Sequence, residues 1–374
     1  MKSALLLLSA LAASAAAAPH STGTTVSIQR HPKTSAPGVR AKANIASARS
    51  RFAVSKDGTI AKRGEGSLIN GGDEFYYTTV SIGNGQTFNI DLDTGSSDLW
   101  VPGPQCSSSD GSCTAGGGPI DLSDSSISDT GNTFSDNYGS GSASGEVYTG
   151  PYSLAGASTS GNSFGVTTQE AGFTFAAQGL LGLSFPFNTG SNTGVTANGG
   201  SVPIQALGLH SFGFYLSNAA QGDSGTFTTN GFDSSHVAGK FSYESINTSP
   251  GYWLFDVSNG RYDAAGTNGD LSDGGSVTSA IADTGTSLII LPSNVASAIW
   301  NAIGARDGGS GSASIDCNAS GSVSFTFSNT AYAVPASSYV LDNGDGTCTC
   351  GFAGGAEQQG VAIFGDVFLR NWYS

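Results

Sequence analysis

Positive charge, histidine and long apolar runs are scarce in this chain of 374 residues. Only 14 residues are Lys or Arg against 28 Asp or Glu, so a nucleic-acid binder is excluded, because phosphate needs basic surface. Charged residues make up 11% of the chain, too few for the salt-bridged faces of a coiled coil or helical solenoid. No apolar run is long enough to span a bilayer, so no membrane partner is expected. The four histidines (His20, His31, His210, His236) are scattered, and none stands beside a cysteine. That spacing excludes a metal site, and nothing calls for a cofactor. Glycine is plentiful instead, with 55 residues, alongside 38% hydrophobic and 10% aromatic residues. Such a composition favours short strands and many turns, hence an all-β protein able to bury substantial cores.

The charge is unevenly placed. Between Pro19 and Arg63 stand nine basic residues and one acid, a balance of +8; from Gly64 onward, four basic residues face 27 acids, a balance of −23. Ahead of the basic segment, Met1-Lys2, a Leu5–Leu8 run and an Ala/Ser stretch to Ala18 read as a secretory signal peptide. Residues 19–63 then read as a propeptide ending near the dibasic pair Lys62-Arg63. Its charge suits an intramolecular clamp on an acidic body, with Lys42 or Lys56 as the blocking residue and acidification as the release. The expected product is exported, to the exterior or to a vacuole.

An oxidising compartment permits disulfides. Cys106 and Cys113 enclose a short polar loop, a natural local staple, while Cys317 can pair with Cys348 or Cys350, leaving one thiol over.

The body repeats itself. Asp93-Thr94-Gly95-Ser96-Ser97 and Asp283-Thr284-Gly285-Thr286-Ser287 each follow an apolar run, and each has a proline nine residues past its Asp. Leu180-Leu181-Gly182 ends 89 residues after Asp93, and Ile363-Phe364-Gly365 ends 82 residues after Asp283. One β-rich lobe duplicated explains both matches, and two related lobes packed about a pseudo-two-fold axis would bring the Asp loops face to face. Finer structure fits: a hairpin at residues 75–92 around Gly83-Asn84-Gly85-Gln86, strands at 212–216 and 225–229, and a helix at 294–303.

Two carboxylates held a few ångströms apart share a proton rather than both ionise. The ionised member then acts as base on a bound water, and the protonated member stabilises the oxyanion formed on a carbonyl. Gly95 and Gly285 allow close backbone approach. Thr94 and Thr284 can bond across the axis, and Ser96 and Thr286 can hold the outer carboxylate oxygens. A glycosidase also uses paired carboxylates, but its two acids need different environments, which identical loops do not supply.

On these motifs the sequence resembles the pepsin-like aspartic proteases, in particular their secreted fungal members. The resemblance covers the body from about Asn70 and implies a bilobal all-β fold with a cleft between lobes at 64–217 and 218–374. It implies that Asp93 and Asp283 are the catalytic pair, and that Tyr138, Gly139 and Ser140 lie on a flap over substrate, with the Tyr138 hydroxyl meeting Trp100. It implies a Cys317–Cys348 disulfide, leaving Cys350 as the unpaired thiol. Polypeptides are the implied substrates, the propeptide is the implied inhibitor, and the implied state is a monomer. Ser140 stands where some fungal relatives carry an Asp that accepts lysine, so apolar residues around the scissile bond are expected, with Phe173 and Phe175 as pocket candidates. The family's apolar strand beyond Arg370-Asn371-Trp372-Tyr373 is missing before Ser374, which implies a truncated final strand. The rival class is a non-catalytic binding protein on the same scaffold.

Overall fold

The structure, a computed structural model, describes residues 4–8, 23–30, 76–138, 141–173, 177–186, 194–217, 225–249 and 251–374. The chain forms two β lobes. In the first, Tyr76–Ile82 pairs antiparallel with Gln86–Asp93, and Ile82 faces Gln86 across the turn. That turn sets Gly83 and Gly85 at φ 65° and 97°, backbone that glycine adopts without strain. These strands belong to an eight-stranded sheet, which curls back as Tyr76–Ile82 also pairs with Ser142–Leu154. Alternate residues of the first strand point inward: Tyr76, Thr78, Val80 and Ile82 are buried.

The second lobe is built on a seven-stranded sheet with two four-stranded sheets beside it. Its core is aromatic, with Phe325, Phe327 and Phe368 around Phe364 at ring separations of 5.3, 5.2 and 4.8 Å. The helix expected at 294–303 spans Ser293–Ile303 and buries Val295, Ala296, Ile299 and Trp300, one face of the 3.6-residue period. Among the described residues, no helix is long and apolar enough to cross a membrane.

The internal repeat is architectural. Gly179–Gly182 lies parallel to Gln86–Asp93 and antiparallel to Leu99–Ser107. Val361–Phe364 lies parallel to Ser279–Ala282 and antiparallel to Ile289–Leu291. Each therefore threads between the two strands that carry an Asp loop. The terminal glycines are required there: a Cβ on Gly182 would strike the Ser96 and Ser97 backbone, and one on Gly365 the Thr286 and Leu288 carbonyls.

Thr24–Ser27 carries no charge and joins the body as a strand, antiparallel to Thr226–Thr229. Ile28 is fully buried and donates its N–H to Gly225 O (3.1 Å), and Thr78 Oγ1 donates to Ser27 O (3.0 Å). This stretch is thus held by backbone pairing and one apolar anchor. Lys42 and Lys56 lie outside the described residues. Ala4–Leu8, within the stretch read as a signal, pairs parallel with Phe241–Asn247. At the other end, Phe214 and Ser374 exchange backbone hydrogen bonds of 2.6 and 3.1 Å, so the last residues already pair with the Phe212–Tyr215 strand.

Candidate active site

Strand ends deliver both Asp loops to the seam between the lobes. Thr94 N–H donates to Thr284 Oγ1 (3.1 Å), and Thr284 N–H donates to Thr94 Oγ1 (2.9 Å). Each threonine hydroxyl then donates onward to the opposite strand, Thr94 to Ala282 O (3.0 Å) and Thr284 to Leu92 O (2.7 Å). Every polar group of this clasp is buried and bonded, so the two loops are fixed relative to each other.

The clasp places each carboxylate against the other loop. A Cβ built on Gly95 falls 2.6 Å from Asp283 Oδ1, and one built on Gly285 would collide with Asp93 Oδ1. The same glycines supply donors, Gly95 N–H to Asp93 Oδ1 (2.7 Å) and Gly285 N–H to Asp283 Oδ1 (2.9 Å). Asp93 and Asp283 have no exposed surface.

The supporting hydroxyls are unequal. Thr286 Oγ1 donates to Asp283 Oδ2 at 2.6 Å, as the chemistry of the loop suggests. Ser96 does not match it: its Oγ is buried with no hydrogen-bond partner among the described residues.

Over the first loop stand Trp100, Tyr138 and Phe173. Trp100 Nε1 donates to Tyr138 Oη (2.8 Å), and the Tyr138 N–H donates to Gly141 O (2.7 Å), closing the hairpin tip. The Phe173 ring lies 5.0 Å from Trp100 and 5.4 Å, edge-on, from Tyr138. Gly139, Ser140 and Phe175 lie outside the described residues. Phe173 is held by the stapled loop, since its N–H donates to Ser112 Oγ (3.0 Å), beside the Cys106–Cys113 disulfide.

Two groups near Tyr138 escaped sequence reasoning. Asp98 and Asp136 are both buried, and Asp98 accepts N–H donors from Val195 and Thr196 (3.0 Å each). Tyr138 Oη also reaches Asp136 Oδ2, at 3.4 Å. The available signal was two acids flanking this region in a stretch, residues 76–217, that contains no Lys or Arg. Glu170 is buried as well, bonded by Thr167 Oγ1 (2.5 Å), and burial pushes its carboxyl up to about 7. It lies near Cys106 and Cys113, but their sulfurs are bonded to each other, so this trio is no metal set. In the second lobe Cys317 pairs with Cys348, and Cys350 is a buried free thiol pushed up to about 12 by burial.

The family model described as eukaryotic aspartyl protease matches residues 75–374. Rhizopuspepsin-2 of Rhizopus niveus is 36% identical, over 80% of this chain and 75% of its own length. Rhizopuspepsin of Rhizopus chinensis is 33% identical, over 99% of this chain and 94% of its own. Cathepsin E of Rattus norvegicus is 36% identical, over 82% and 78% respectively.

Proposed function

Since this chain belongs to the eukaryotic aspartyl protease family and is an aspartic-type endopeptidase, we propose that Asp93 and Asp283 together activate one water for peptide hydrolysis at acidic pH. The supporting observation is the reciprocal Thr94–Thr284 clasp, which sets both carboxylates against the opposing glycines. In the step itself, the ionised carboxylate takes a proton from water as the water oxygen bonds to the scissile carbonyl carbon. The protonated carboxyl donates to the carbonyl oxygen. Return of a proton to the amide nitrogen breaks the C–N bond and leaves a new carboxylic acid and amine.

Substrate enters under the flap, beside the apolar cluster of Tyr138, Trp100 and Phe173, and the preferred residues around the scissile bond are apolar. The protein is made as a secreted or vacuolar zymogen with residues 1–18 as signal and 19–63 as an inhibitory propeptide. The Thr24–Ser27 strand supports that reading by tying the segment to the body.

The test is cleavage of an apolar peptide at pH 3–5, with and without a statine-type transition-state analogue. Asp93→Asn and Asp283→Asn are each expected to lower kcat by about 10³-fold or more while the thermal midpoint stays within a few degrees. Proteolysis that survives either substitution and the analogue refutes the assignment. Tight peptide binding without any cleavage by the unmodified protein points to the binding-protein alternative.

A further inference from the structure

We propose that Asn318 is the acceptor of an N-linked oligosaccharide, and that its first sugars lie in the groove beside the Cys317–Cys348 disulfide. The proposal rests on the reading that residues 1–18 export the chain.

The acceptor triplet Asn-x-Ser/Thr occurs at Asn247-Thr248-Ser249 and at Asn318-Ala319-Ser320. The two are not equivalent. Pro250 directly follows the first and restricts the backbone of Ser249. Asn247 Oδ1 also accepts from Ser249 N–H (3.0 Å), which folds that triplet back on itself. The second triplet is followed by Gly321, and its Asn318 and Ser320 are both exposed. It is the better acceptor.

Asn318 stands in the turn that follows the Ser312–Ile315 strand. The turn is held on both sides, by Ala319 N–H to Asp316 O (2.9 Å) and by Ala336 N–H to Gly321 O (2.8 Å). The disulfide at Cys317 ties it to the Cys348–Cys350 strand. Asn318 Nδ2 donates to Asp316 Oδ1 at 3.4 Å. A glycosylated amide keeps one N–H, so a sugar does not remove that bond.

Beside the turn lies a groove of about 600 Å³, lined in part by Cys317, Ala319, Ser337, Asp342, Gly344 and Gly346. A space of this size takes a drug-sized molecule, and so the first sugars of a glycan. Ser337 and Asp342 are exposed, and a hydroxyl and a carboxylate both accept from sugar hydroxyls. The far wall belongs to residues 343–347, the loop of the hairpin that joins Val340–Asp342 to Cys348–Cys350. Exposed tips of small and polar residues are where proteases cut a domain first. Sugar seated against this loop shields it.

The modification is a group transfer from a polyprenyl-diphosphate-linked oligosaccharide. Asn318 Nδ2 bonds to the anomeric carbon, the bond from that carbon to the diphosphate oxygen breaks, and the amide gives up one proton.

The full-length chain is produced in yeast, once with its own residues 1–18 and once with that stretch exchanged for a signal peptide of proven export. Export of the second form alone overturns the export reading and still leaves protein on which the acceptor is tested. The exported protein is treated with a glycoamidase, which converts an occupied Asn to Asp, and its peptides are mapped by mass spectrometry. Asn318 is expected to be converted, and the mobility shift to be lost in both Asn318→Gln and Ser320→Ala. The second variant keeps the asparagine, so any structural role of Asn318 is preserved. Asn247→Gln is expected to retain the shift. Exported protein with Asn318 unconverted, or a shift that survives Ser320→Ala, overturns the proposal. Under an added acid protease, Ser320→Ala is expected to be cut within 343–347 while the glycosylated protein stays intact there. Equal behaviour of the two overturns the placement of the sugars in the groove.

Discussion

The two Asp loops begin alike and end differently. Through Asp-Thr-Gly they are near mirror copies: each threonine hydroxyl accepts from the other threonine's N–H and donates to the opposite strand, and each glycine N–H donates to its own Asp. Beyond that they part. Thr286 bonds Asp283 while the Ser96 hydroxyl has no partner among the described residues, and the loop that continues to Leu288 in one lobe continues to Asp98 in the other. The lobes part in charge as well, since residues 76–217 hold no Lys or Arg and residues 225–374 hold Lys240, Arg261, Arg306 and Arg370. The shared portion fixes the two Asp loops against each other; the divergent portion sets the lobes apart in hydrogen bonding and charge.

The comparison breaks most severely at the glycines. Gly95→Ala puts a methyl group 2.6 Å from Asp283 Oδ1, and Gly285→Ala does the reciprocal injury to Asp93. Each is expected to lower kcat by about 10²-fold or more, the usual consequence of an ångström-scale misplacement. Steady-state kinetics on both variants checks it; a loss confined to one would show that the loops are not equivalent.

A second test asks whether the lobes differ in acid–base stability. Glu170, raised from the ordinary value of 4.5 to about 7 by burial, favours the folded state fully below pH 4.5, and that advantage disappears as pH climbs to about 7. At about 1.4 kcal/mol per pH unit, the first lobe loses roughly 3 kcal/mol across this window. Denaturant unfolding at pH 4 and pH 7 should show that loss, and Glu170→Gln should remove most of it.

The clasp gives a third test. Thr94→Val and Thr284→Val each leave a buried N–H and a carbonyl without a partner, at a cost of about 1–3 kcal/mol. Equal losses in the thermal midpoint are expected from the two, and unequal losses would show an asymmetric seam. The smallest effect is at Ser96. Ser96→Thr copies the second loop and is expected to change kcat by no more than about twofold, since the existing hydroxyl makes no bond among the described residues.

Much of this was legible in the residues. Repetition exposed the paired Asp loops and the apolar strands ending in Gly182 and Gly365, because each motif needs glycine where backbone crosses backbone. The Gly83–Gly85 turn and the 293–303 helix followed from local propensity. The bonds from Val195 and Thr196 N–H to Asp98 did not, because they join a loop end to a segment nearly a hundred residues further along the chain. Nor did the pairing of Thr24–Ser27 with Thr226–Thr229, since a short uncharged run gives no sign of a partner two hundred residues away. The Ser96 rotamer was equally hidden, being a matter of packing rather than residue type.

One measurement reaches the central claim directly: a neutron structure of the activated enzyme at acidic pH. The account predicts a single solvent molecule within about 2.6–3.2 Å of both the Asp93 and Asp283 carboxylates, with one proton between the two acids. Carboxylates that share no solvent molecule, or that are both ionised at that pH, would contradict it.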